Sequence, residues 1–167
     1  MYVMMLIMTT VDPLDARILL ALDDDPEATT LSLARRLGIA RNTVHARLGR
    51  VSACALRSFA SRIDPAALGY PLVAFVSLSI SQSQGDEAGE GLAAIPEIVE
   101  MHATTGEADM LVKVVARDTA HLHQVTTSML RIPGVHRSST AISLAEVFPP
   151  RLRPLVERAA ARGEWKD

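Results

Sequence analysis

The stretch LSLARRLGIARNTVHARLGRV, residues 31–51, consists of two short amphipathic segments joined at Gly38. Ala34 and Leu37 share one face of the first, and Val44, Leu48 and Val51 form an i, i+4, i+7 stripe on the second. That spacing fits a helix-turn-helix. Ile39 plugs the corner, Ala34 is small where crossing helices need close approach, and Gly38 supplies the left-handed turn that ends the first helix. Thr29 or Thr30 is a suitable N-cap. From residue 28 to 63 the chain carries seven arginines and no acid. Such a concentration of positive charge points to nucleic acid, whereas a plain helical hairpin with a solvated basic face leaves the absence of acids unexplained.

On a helical wheel Asn42, Ala46 and Gly49 point away from the apolar stripe, with Thr43 and Arg50 on one shoulder and His45 on the other. Small outward residues let a helix backbone sit deep in the major groove. Asn can pair bidentately with adenine, so Asn42, Thr43 and His45 are the expected base readers. Arg41, Arg47 and Arg50 flank this face and are expected on phosphates, with Arg35 and Arg36 assisting.

A further helix precedes the hairpin. Asp12 and Pro13 form an N-cap and N1 pair, and Leu14, Ile18, Leu19 and Leu22 make a stripe ending at the Asp23-Asp24-Asp25-Pro26 break. After the second hairpin segment, LRSFASRIDP alternates imperfectly and reads as a wing or a linker strand. The expected DNA-binding domain spans 12–63, with a linker at 64–70.

Composition agrees with a small two-domain protein. The 167 residues are 49% hydrophobic and poor in aromatics, which implies aliphatic cores. Net charge is only −2, because six acids between Asp12 and Glu27 offset the basic stretch; local rather than global charge governs contact with DNA. The single cysteine, Cys54, excludes an intramolecular disulfide framework and fits a reducing, cytoplasmic setting. The opening MYVMMLIM is too short to span a bilayer and lacks a basic flank or cleavage-like site. It reads as a disordered or partner-packed arm, or as a start-codon artefact. No membrane association is expected.

From Pro71 the pattern changes. PLVAFVSLSIS reads as a strand with Leu72, Ala74, Val76, Leu78 and Ile80 on one face, followed by a short helix around 88–95. IVEMHATT and DMLVKVVA read as two strands joined by a hairpin at Gly106-Glu107-Ala108. Asp118 caps a helix whose Leu122, Val125, Met129 and Ile132 face inward, and VHRSSTAISLAEVF is a last strand. The order βαββαβ over 71–148 is the ferredoxin-like split unit, an α+β fold with helices on one face of an antiparallel sheet. The other face invites self-association. A tail helix is expected within 149–167, starting at Pro154 and serving assembly.

A winged helix-turn-helix followed by this domain, with G-[DE]-x-D-x-L-x-K at Gly106 to Lys113 and L-R-I-P-G-V at Leu130 to Val135, resembles the leucine-responsive/asparagine-regulator (Lrp/AsnC) family. The resemblance covers residues 13 to about 148. It implies a bacterial or archaeal transcription regulator that dimerises through its second domain, often assembles to octamers, and responds to amino acids or related metabolites. Three departures stand out: Ala40 replaces a capping Ser, VSACALRSF lacks the usual acid and turn glycine at the recognition-helix exit, and Glu107 replaces Asp.

For the effector, backbone N–H groups at Gly106 can hold a carboxylate and Asp109 can pair with an ammonium group. Ser138 and Thr140, two apart on a strand, project to one face. The resemblance places ligand between dimers around Gly106, Asp109, Ser138 and Thr140, with Glu107 narrowing the pocket. The same residues also suit a simple hairpin, with Asp109 capping a strand end.

Enzyme signals are weak. His121 and His123 are two apart on a helix and diverge, and no phosphate loop, nucleophile elbow or CxxC occurs. No metal or cofactor is implied. Two alternatives stay open: a siroheme-decarboxylase-like subunit of similar two-domain layout, and an architectural DNA-binding protein without an effector. The acid-free arginine segment favours DNA.

Overall fold

Asp12 starts the first helix, α1 (Pro13–Asp24), through a capping box. Its side chain accepts from the Asp15 N–H at 2.9 Å, and the Asp15 carboxylate accepts from the Asp12 N–H at 3.2 Å. Both N-terminal donors are thereby satisfied. The computed structural model describes residues 11–162; the opening apolar arm lies outside the described residues.

Thr29 caps α2 (Thr30–Leu37), accepting from the Ser32 N–H at 3.2 Å. Gly38 ends α2 at φ 67°, a left-handed conformation that costs an L side chain about 1–2 kcal/mol. The chain then turns into α3 (Arg41–Cys54). Leu33, Ala34, Ala21 and Val44 form the small core of this unit, with Leu22, Ala28, Ile39 and Leu48 packed around it. Leu33 and Ala34 are buried, and Leu37, expected on the same face as Ala34, is half-buried.

The expected wing strand is replaced by two 3-10 turns, Phe59–Arg62 and Pro65–Leu68. Local bonds account for this. The Ser61 hydroxyl donates to the Ser58 carbonyl at 2.7 Å, and Asp64 accepts from the Ala66 N–H at 2.9 Å, so short-range partners displace a ladder. Pro65 has no N–H to offer one.

A four-stranded antiparallel sheet follows, built from β1 (Leu72–Ile80), β2 (Ile98–Ala103), β3 (Met110–Ala116) and β4 (Val135–Ile142) in the order β2-β3-β1-β4. Two helices cover one face: α4 (Gly85–Ala93), which begins three residues before the expected start at Ala88, and α5 (Thr119–Leu130), capped by Asp118. Ala74, Val76, Leu78 and Ile80 pack with Val112 and Val114 of β3, Ala88 and Leu92 of α4, and Leu122, Val125 and Met129 of α5. This is the expected βαββαβ arrangement. β4 stops at Ile142, short of the expected 148, with the Ser143 N–H donating to Val73.

The chain divides into two compact units, 62–147 and a second formed by 11–61 together with 148–162. The tail therefore joins the helix-turn-helix unit instead of standing apart. Its helix α6 (Arg153–Ala161), with Pro154 in the first turn as expected, packs along α1.

Candidate DNA interface and effector cleft

The α3 helix buries Val44 and Val51 and exposes Arg41, Asn42, Thr43, His45, Ala46, Gly49 and Arg50. The three expected base readers thus lie on one open surface, next to small Ala46 and Gly49. Ala40 gives the helix no side-chain cap, so its first-turn N–H groups lack a capping partner at the end that carries Arg41 and Asn42. Arg41 has no partner among the described residues.

The flanking arginines expected on phosphates are engaged within the unit. Arg47 bonds Asp12 and reaches Asp15 at 3.2 Å; Arg50 bonds Asp15 and reaches Asp12 at 2.9 Å. Arginines at i and i+3 on α3 meet acids at i and i+3 on α1, and the four side chains close a box. Partial burial pushes the Asp12 carboxyl up, but hydrogen bonds and charge attraction from Arg47 and Arg50 outweigh it and hold the group below its ordinary value. The sequence wheel placed both arginines correctly on the helix surface; it could not show that α1 presents two carboxylates across from them. Arg36, also expected near DNA, is half exposed and bonds Asp24 at 2.5 Å.

In the second unit the register decides which side chains share a face. Ser138 pairs with Leu78 and Thr140 with Val76, so both hydroxyls lie on the helix-covered side of the sheet. Ser139 pairs with Ser77 and Arg137 with Ser79, which puts these four on the bare side. They line a cleft of about 160 Å³ together with Glu107 and Ala108 from the β2–β3 loop. Glu107 is therefore the one expected effector residue that lines this cleft. Ser138 and Thr140 share one face as expected, but pairing with β1 puts that face opposite this cleft.

Gly106 turns the β2–β3 loop at φ 112°, a conformation L side chains rarely adopt. Asp109 is engaged by the fold: its carboxylate accepts from the Ile80 N–H at 2.8 Å, and its own N–H donates to Leu78 at 2.9 Å. The bond falls where the β1–β4 register shifts between Ser79 and Ile80. Asp109 thus caps a strand irregularity, the alternative that the sequence left open beside an ammonium partner. The cleft itself offers the complementary pair: the Arg137 guanidinium suits a carboxylate, the Glu107 carboxylate suits an ammonium group, and Ser77, Ser79 and Ser139 also line it. Alternation along β1 carried the signal for Ser77 and Ser79, since they sit opposite its core-facing positions.

The rest of the bare face mixes apolar and charged residues. Phe75 on the central strand β1 is 41% exposed, and opposite it Lys113 lies 4.0 Å from Glu100. Among the described residues no group of three or more His, Cys, Asp or Glu could hold a metal ion, and no helix is long and apolar enough to cross a membrane.

Residues 11–51 match the family model described as winged helix-turn-helix DNA-binding, and residues 73–152 match that of the Lrp/AsnC ligand binding domain. The chain is 33% identical over 134 residues to the HTH-type transcriptional regulator FL11 of Pyrococcus horikoshii, covering 80% of this chain and 89% of that one. Its fold is similar to that of E. coli AsnC, with a TM-score of 0.76 at 27% identity over 87% of this chain and 99% of that one. It is also similar to a Neisseria meningitidis transcriptional regulator in complex with L-Met, with a TM-score of 0.73 at 25% identity over the same shares.

Proposed function

The chain belongs to the Lrp/AsnC family of DNA-binding transcriptional regulators, and from that premise we propose that Asn42, Thr43 and His45 read base edges while Arg41 sits on the phosphate backbone. In the same reading the cleft between Glu107 and Arg137 holds a small zwitterion, an amino acid or close relative. The observation that carries it is the pairing of an open, acid-free recognition surface on α3 with a cleft lined by one cation, one anion and three hydroxyls. The L-Met complex of the Neisseria relative supports the ligand class.

The bare sheet face, with Phe75 at its centre, supports a homodimer that can assemble further towards an octamer. A dimer holds two recognition helices one helical turn or a multiple apart along DNA. The protein acts by binding rather than by catalysis, in the cytoplasm. A second reading, a DNA-binding protein without an effector, is favoured by the engagement of Asp109 with the Ile80 N–H.

Footprinting of the purified full chain on genomic DNA, with and without each amino acid, tests both readings. Protected sites whose pattern changes with one amino acid are expected. Protection that no amino acid alters would favour the second reading, and an absence of protected sites would overturn both.

A further inference from the structure

The C-terminal helix α6 begins one residue beyond the matched ligand-binding region, which ends at residue 152. Its first residue, Arg153, sits on the acidic C-terminal end of α1. Arg153 Nη1 donates to Asp23 at 2.7 Å and to Asp24 Oδ1 at 2.9 Å, and its Nε donates to Glu157 at 3.0 Å. The other oxygen of Asp24, Oδ2, accepts from Arg36 on α2 at 2.5 Å. One carboxylate therefore divides its two oxygens between two arginines, one from each end of the chain.

This division matters for DNA. The end of α1 and the turn after it hold Asp23, Asp24, Asp25 and Glu27, a concentration of negative charge beside a helix-turn-helix that must approach a polyanion. Were Arg36 the only cation there, moving it to a phosphate would strip Asp24 of its partner and expose the acids to the DNA. With Arg153 in place, Oδ1 stays bonded when Arg36 leaves.

We propose that Arg153 is a positioning residue for DNA binding, a resident counter-ion on Asp23 and Asp24 that lets Arg36 exchange from Asp24 to a DNA phosphate. The proposal rests on the DNA-binding reading above. Hydrogen bonds from Arg36 and Arg153 also hold the Asp24 carboxyl below its ordinary value, and those to Asp23, Asp24 and Glu157 raise that of Arg153, so both groups stay ionised.

The test measures full-chain binding to a labelled random-sequence duplex of about 30 base pairs across a salt series, since non-specific affinity reports phosphate contacts directly. Arg36→Gln should make the log–log salt slope shallower by about one. Arg153→Gln should weaken binding severalfold at low salt and flatten the slope similarly, because Asp24 then retains Arg36. Adding Asp24→Asn to Arg153→Gln should restore affinity and slope even if the melting temperature stays lowered, an outcome that mere loss of α6 packing would not give. Wild-type affinity and slope in Arg153→Gln, a double variant no better than Arg153→Gln, or a wild-type slope in Arg36→Gln would each overturn the proposal. Failure of the wild type to bind the duplex at all would overturn the DNA reading along with it, a pattern distinct from the others.

Discussion

The guanidinium of Arg50 on α3 bonds the carboxylate of Asp15 on α1, a side chain only 1% exposed. Together with Asp12 and Arg47 this bond makes the recognition helix and the first helix one rigid piece. An arginine expected on phosphate is thus tied into the fold. Arg50→Gln should lower stability by roughly 1–3 kcal/mol, between the values for surface and buried pairs. Thermal denaturation checks the size, and a salt slope for DNA equal to that of the wild type would confirm that Arg50 makes no phosphate contact.

The same box predicts a pH dependence. Asp12 has a folded-state pKa below its ordinary 3.8, so the folded state binds fewer protons than the unfolded one in this range. Its contribution is complete above that value and is lost as pH falls through the lower folded pKa. Asn is also a good N-cap, so Asp12→Asn isolates the charge. The melting temperature of the wild type should fall more steeply than that of Asp12→Asn between about pH 5 and pH 2. Parallel curves would contradict the assignment.

On a defined operator Asn42→Ala should cost about 1–3 kcal/mol and relax the choice of base, whereas Arg41→Gln should weaken all DNA alike. Competition between operator and random duplex separates the two. Equal losses on both duplexes for Asn42→Ala would remove it from base reading.

In the second unit Arg137→Gln and Glu107→Gln should each reduce amino-acid binding by tenfold or more, about 1.4 kcal/mol. Ser138→Ala, on the opposite face of the sheet, should bind like the wild type. Calorimetry against the amino-acid set reads all three. A large loss in Ser138→Ala with none in Arg137→Gln would move the site to the helix-covered side.

Phe75→Glu places a charge at the centre of the bare sheet face. If the bare face holds the proposed dimer, sedimentation should show Phe75→Glu as a monomer at micromolar concentration, because an uncompensated charge would be buried at the contact. A variant that remains dimeric would locate self-association elsewhere.

Short-range patterns made much of this architecture legible. The Asp12 and Thr29 caps, the Gly38 turn and the alternation of β1 each depend on residues within a few positions, where periodicity and side-chain chemistry act directly. Partners distant in sequence were not legible. A helical wheel shows that Arg47 and Arg50 point outward, but the acids that meet them lie 35 residues or so away, across a helix crossing. The face of Ser138 depends on its pairing with Leu78, which no local pattern fixes. For 56–65 the imperfect alternation suggested a strand, and the local bonds of Ser61 and Asp64 won instead. The helix at the tail was legible as an element; its seat on α1 was not, since an amphipathic stripe does not name its partner.

That seat bears on how the protein is made. Synthesis proceeds from the N-terminus, so the first three helices leave the ribosome long before α6, and the 62–147 unit can fold in the interval. The helix-turn-helix unit gains its last helix, and Asp23 and Asp24 gain Arg153, only after the whole 62–147 unit has been synthesised. A nascent chain therefore lacks α6 on its helix-turn-helix unit until residues beyond the sheet domain emerge, and a chain truncated after the sheet domain carries a helix-turn-helix whose Asp23 and Asp24 have lost Arg153.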